Sequence, residues 1–138
     1  MRLAAAFLAD SAQVQGGKLY VLGGGFSTIT VRKVPAVHRQ MSLVLLVEVE
    51  NEEWGQDLDL GIKLVDEDGK QLGVDAKGKL RVGESIKVRP GDSATLPMVS
   101  NFVNMAFPEA KGYGFIVTHD ESELARVRFR VIEARSTR

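Results

Sequence analysis

The residues able to do chemistry are few and scattered. His119-Asp120-Glu121 bunches an imidazole and two carboxylates in one short stretch. Asp66-Glu67-Asp68-Gly69 is a second acidic cluster that resembles the start of a calcium loop. A calcium loop also needs a further ligand before its Gly and a Glu six residues after it, and neither is present. A solvated hairpin turn is the simpler reading, because Asp-Gly pairs favour tight turns. Together the two clusters form the only candidate for a small-ligand or metal-dependent enzyme, on the premise that sandwich turns gather at the ends of the sheets. His38 is the other histidine, and it has no second His at a metal-ligand spacing.

Three motifs fail on their surroundings. Gly23-Gly24-Gly25 is followed by the β-prone run Phe26 to Val31 and not by a helix, so a bend needing positive φ explains it better than a phosphate cradle. Gly73 to Lys79 has the Gly-x4-Gly-Lys spacing of a P-loop, but Leu80 stands where Ser or Thr must hold magnesium. Around Ser27, Gly25-Phe26-Ser27-Thr28-Ile29 lacks the closing Gly of a nucleophile elbow. With no cysteine in the chain, disulfides, thiolate-bound zinc and thiol catalysis drop out. No catalytic residue, metal ligand or cofactor is assigned, and the expectation is that the protein is not an enzyme.

Charge patterning is more informative. Arg126, Arg128 and Arg130 alternate with Val127, Phe129 and Val131, so an extended chain projects all three guanidinium groups from one face at ~6.5 Å intervals. Lys77, Lys79, Arg81, Lys87 and Arg89 make a second basic region, and Glu48 to Asp59 an acidic one. Solvated faces that discourage edge pairing are the simpler reading, with a patch for an anionic partner or for self-association as the functional one. Trp54, in a polar link between strands, either caps the core or anchors a partner. Across the whole chain 18 basic residues balance 18 acidic ones, which argues against a nucleic-acid partner.

The elements that carry these residues are strands. From Asp57 to Leu64 every even position is aliphatic, a period of two. Met41, Leu43, Leu45, Val47 and Val49 share one face of another strand, while Val44 and Leu46 make its second face partly apolar and a candidate interaction surface. Tyr113, Phe115 and Val117 alternate likewise. Strands are also expected over about 2–9 and 18–22, divided by Gln15-Gly16-Gly17, and a turn is expected at Arg89-Pro90-Gly91-Asp92. Pro35 to Gln40 is the one stretch suited to a helical turn. The reading is an all-β, antiparallel, two-sheet sandwich of immunoglobulin-like character with eight or nine strands. It forms a single domain over residues 1–134, with 135–138 as a frayed tail.

The apolar run Leu3 to Ala9 is short and ends at Asp10, so it reads as a strand and not a signal peptide. No segment approaches the ~20 apolar residues of a membrane span. A cytoplasmic protein without membrane contact is expected.

Leu8-Ala9-Asp10-Ser11-Ala12-Gln13-Val14, followed by Gly17-Lys18-Leu19-Tyr20-Val21-Leu22-Gly23-Gly24-Gly25-Phe26-Ser27, resembles the opening of an uncharacterised family of small bacterial β-sandwich proteins. Phe26 departs from the Trp common there. Phe107-Pro108-Glu109-Ala110-Lys111-Gly112-Tyr113 and the Arg-Phe-Arg-Val strand extend the resemblance to the C-terminal end. It implies a domain of unknown function, with no activity or site residues to carry over. A non-catalytic binding or assembly module is the expected role.

Overall fold

The structure is a computed structural model that describes residues 1–53, 55–81 and 91–135, without the side chains of 74–76 and 78–81. Its strands are β1 (Arg2–Gln15), β2 (Lys18–Gly24), β3 (Thr28–Val31), β4 (Ala36–Glu50), β5 (Asp57–Asp66), β6 (Gln71–Arg81), β7 (Ser93–Phe107), β8 (Gly112–His119) and β9 (Ser122–Glu133). They form one sheet in the order β2-β1-β4-β7 and another in the order β3-β9-β8-β5-β6. All pairs are antiparallel except β3 with β9, which is parallel. This is the two-sheet sandwich that alternation demands: one face of each strand is apolar and must be covered.

The alternating sets fill the space between the sheets. Met41, Leu43, Leu45, Val47 and Val49 of β4 face Leu58, Leu60, Ile62 and Leu64 of β5, and all are buried. Five aromatic rings tie the layers together. Phe102 stacks on Phe115 across the sheets with centroids 5.0 Å apart, and Phe107 lies 5.0 Å from Tyr113 and 5.7 Å from Phe129. Phe129 in turn stacks on Tyr113 and Phe115. Offset ring pairs contribute about 0.5–1.5 kcal/mol each beyond their buried area. The Tyr113 hydroxyl donates to the Glu109 carbonyl at 2.7 Å, closing a tyrosine corner where the chain passes from β7 in one sheet to β8 in the other. That corner is a mark of immunoglobulin-like sandwiches.

Turn chemistry follows the glycines. Gly16 and Gly17, at φ of 57° and 73°, make the two-residue β1–β2 turn with positive φ at both positions. Gly23 and Gly25 also have positive φ, as the bend reading of the glycine run requires. Gly73 to Lys79 lies within β6 as extended strand, not as a loop that wraps a phosphate. Gly91 has the positive φ of a turn, while Arg89 and Pro90 lie outside the described residues, as do residues 136–138 of the expected tail.

Two differences from the sequence reading stand out. Ala36 to Gln40 is not a helical turn but the first third of β4, paired with β7 from Ala36↔Phe107 onward. That cross-strand ladder overrides a weak local preference. β7 itself does not stand out in the sequence, because Pro97 and the left-handed Asn104 interrupt its alternation. Both are tolerated because β7 is an edge strand among the described residues, with one side carrying no ladder hydrogen bonds from them.

Two predictions follow from packing and turn geometry. Phe115→Ala removes a fully buried ring from the centre of the aromatic cluster and should cost about 3–5 kcal/mol of stability in urea unfolding. The β8–β9 turn places Asp120 and Glu121 at φ of 47° and 67°. Glu121→Gly should therefore raise stability by about 1 kcal/mol, and an unchanged or lowered melting point would show the turn to be relaxed as it stands.

Candidate functional site

Phe129 points into the core, so Arg128 and Arg130 on either side of it must point out, with Arg126 two residues earlier on the same face. In register, Arg130 lies beside Gly112 and Arg128 beside Gly114 on β8. Neither glycine raises a side chain, and the outer face of the sheet sinks into a groove of about 770 Å³ with the three arginines along one wall. Ser27 and Thr28, at the start of β3, bring hydroxyls to the same wall, because β3 runs parallel to β9 with Thr28 beside Arg130. Gly114 admits a Cβ with only ordinary contacts of 3.6–3.8 Å, so the hollow is not forced by backbone crowding.

The opposite wall is the turn between β5 and β6. Asp66 accepts the Asp68 and Lys70 backbone N–H groups through Oδ1, both at 2.9 Å, and takes Lys111 Nζ at 2.9 Å on Oδ2. Lys111 also reaches Glu109 at 2.6 Å and Asp68 at 3.7 Å. Its bond to Glu109, then that to Asp66, holds the ammonium above its usual range. The hydrogen bond from Lys111 holds the Asp66 carboxyl below the usual carboxylate range, with the two backbone donors helping against desolvation. Both Asp66 oxygens are thus committed to the turn and to Lys111. Burial, the largest influence on Tyr113 nearby, raises its phenol.

The three arginines differ in their partners. Arg126 Nη2 is bound to Glu123 at 2.9 Å, and Arg130 Nη2 lies 3.6 Å from Glu67, whose Oε2 also accepts the Gly112 N–H at 3.3 Å. Arg128 makes no ion pair among the described residues. The groove therefore offers one free guanidinium between two restrained ones.

Other sequence candidates are placed differently. Val44 is fully buried and unfit as a docking surface. In register it sits between Phe7 of β1 and Val99 of β7, in a small second core with Ala9, Ala12 and Val21. The chain covers its own second apolar face there, which single-strand periodicity does not reveal. Leu46, between Ala5 and Pro97, is half-buried. Trp54, the side chains of Lys79 and Arg81, and all of Lys87 and Arg89 lie outside the described residues.

The two acidic turns proposed to share one enzyme site are far apart. Asp66 pairs with Tyr113 at one end of β8, whereas His119 closes the other end, ~20 Å along the strand. His119 Nδ1 lies 2.9 Å from the Asp59 carbonyl and its Nε2 3.3 Å from Asp120. Among the described residues no group of three His, Asp or Glu side chains could hold a metal ion. The glycines of the groove floor were the missed signal: Gly-x-Gly at 112–114 leaves one strand face bare beside the arginine face.

The model of a family of unknown function (DUF6941) matches residues 4–132. No curated protein matches the chain. Among solved structures, the chain is similar to the Pseudomonas fluorescens alkylpurine DNA glycosylase AlkC bound to DNA containing an abasic site analog, at 11% identity and a TM-score of 0.41. The match covers 92% of this chain and 30% of that one. So weak a likeness assigns no ligand to this chain. The exclusion of a nucleic-acid partner is withdrawn on the placement of this chain's own charges. The physical fault in that exclusion is that net charge is a sum, while binding depends on where charges collect, and here Arg126, Arg128 and Arg130 collect on one wall. Among the described residues no helix is long and apolar enough to cross a membrane.

One prediction concerns the Asp66 anchor. Its carboxyl titrates lower in the folded chain than in the unfolded one, so the stability it supplies is present above about pH 4 and is lost as pH falls through the folded value. Asp66→Asn should lower the melting point by several degrees at pH 7 and flatten its decline below pH 4. An acid limb identical to that of the unaltered protein would show that other carboxylates carry it.

Proposed function

This chain belongs to DUF6941, a family of unknown function, and we propose that it serves as a non-catalytic, cytoplasmic binding module whose arginine-walled groove takes the anionic groups of an extended partner. The observation that carries this reading is Arg128. It is exposed, aimed over a glycine floor and free of any carboxylate among the described residues, although both of its arginine neighbours have one. A guanidinium held between two restrained cations is a prepared site for a carboxylate or a phosphate. The ~6.5 Å spacing of the arginines suits a chain with regularly repeated charges. An enzyme is disfavoured because its two candidate acidic turns lie at opposite ends of β8.

The test is a titration of hexaglutamate and of a short oligothymidylate into the protein, followed by amide resonances. Shifts centred on Gly112, Gly114 and residues 126–130 are expected with at least one probe. Its affinity should fall about tenfold in Arg128→Gln, and the added side chain of Gly114→Val should block the groove without unfolding the sheet. The stronger probe identifies the partner's chemistry as carboxylate or phosphate. Binding that is equal in both variants and the unaltered protein, or shifts that fall elsewhere, would remove the reading.

A further inference from the structure

A second basic site lies where the first sheet splits. β1 pairs with β4 only from Arg2↔Glu48 to Ala9↔Ser42. Beyond that point β1 continues with β2, while β4 from Ala36 to Gln40 pairs with β7. The strands diverge around a cleft of about 820 Å³, closed by the link between β3 and β4. We propose that this cleft binds a phosphate group, through Arg32, Lys33, Arg39 and His38. The site is distinct from the groove beside β9 and stands or falls independently of it.

Two observations point to a ligand. The first is charge. Arg32, Lys33 and Arg39 are exposed, line the cleft and make no ion pair among the described residues, and Asp10 is the one acid lining it with them. Three cations less one carboxylate leave two positive charges. Glu133, near the same link, accepts the Val34 backbone N–H at 2.9 Å and keeps its negative charge, so counting it with the lining leaves one positive charge in excess. A phosphate near neutral pH carries about −1.5 to −2 and so draws more on three clustered cations than a single carboxylate does. Guanidinium forks also fit its oxygens.

The second observation is His38. Its Nε2 is buried and has no hydrogen-bond partner among the described residues. The side chain lines both this cleft and an adjoining hollow of about 450 Å³ edged by Thr28 and Thr30. A buried nitrogen without a partner is unfavourable, and a turn of the ring toward the cleft, which His38 also lines, would let Nε2–H donate to an oxyanion there.

The test is a titration of inorganic phosphate into the full chain at fixed ionic strength, read by amide and imidazole resonances and by calorimetry. Saturable shifts at Asp10, Ser11 and residues 32–40 are expected. The Arg32→Gln/Arg39→Gln double variant should lose about tenfold or more in affinity, and His38→Phe should weaken binding while removing the imidazole signal from the response. In Arg128→Gln the saturable shifts at residues 32–40 should keep their midpoint whatever phosphate does at the groove, which separates the two sites. All of the altered side chains but His38 are exposed, so a melting curve suffices to check their folding. Glycerol 3-phosphate distinguishes sources: tighter binding than inorganic phosphate marks an esterified ligand, and equal or weaker binding marks the free ion. No saturation at millimolar phosphate, equal shifts with chloride, or affinity retained in the double variant would overturn the proposal.

Discussion

The aromatic contact between the sheets is the constraint on which the rest depends. Phe102 and Phe107 come from β7 of the first sheet, and Tyr113, Phe115 and Phe129 from β8 and β9 of the second. Once Phe129 is locked among those rings, the pleat of β9 leaves no choice about its neighbours. Arg128 and Arg130 must stand on the far side of the sheet. A slip of one residue would bury two guanidinium groups without partners, a cost of several kcal/mol per ion. The core therefore sets the direction of the candidate site as firmly as any contact within it.

The same coupling runs through β8. Tyr113 and Phe115 face inward, while half-buried Gly112 and buried Gly114 form the groove floor beneath the arginine stems, so one strand supplies both core rings and a floor without side chains. The tyrosine corner fixes where that strand begins. It does so by bonding to Glu109, whose own carboxylate holds Lys111. Lys111 in turn holds Asp66 and with it the opposite wall of the groove. The site is thus framed by a short relay of hydrogen bonds anchored in the core, and only the outward tips of the arginines are left to a partner.

Both basic features also arise where regular sheet pairing ends or changes. The groove lies beside the parallel β3–β9 pair, and the cleft lies where β1 leaves β4 for β2. An unbroken sheet offers flat faces, whereas departures from pairing create concave ones. Positive φ at Gly23 and Gly25, next to the cleft, belongs to the same bending of the chain. At Gly23 a side chain would also clash, since a Cβ there would sit on the Asp10 carboxylate.

Much of this was legible in the residues alone. Alternation of apolar and polar side chains dictated strands at 41–50, 57–64, 113–118 and 126–131, because an extended backbone sends neighbours to opposite faces whatever else surrounds it. The same local rule placed Arg126, Arg128 and Arg130 outward, and glycine punctuation marked the turns. What tertiary structure alone decided were the relations between strands distant in sequence. Whether Val44 is open depends on Phe7 and Val99 arriving on either side of it. Whether two acidic turns share a site depends on which ends of β5 and β8 they close. Whether Arg32 and Arg39 face one cleft with His38 depends on β1 parting from β4. Register across strands is set by the summed packing of the whole sandwich, and no local pattern contains that sum.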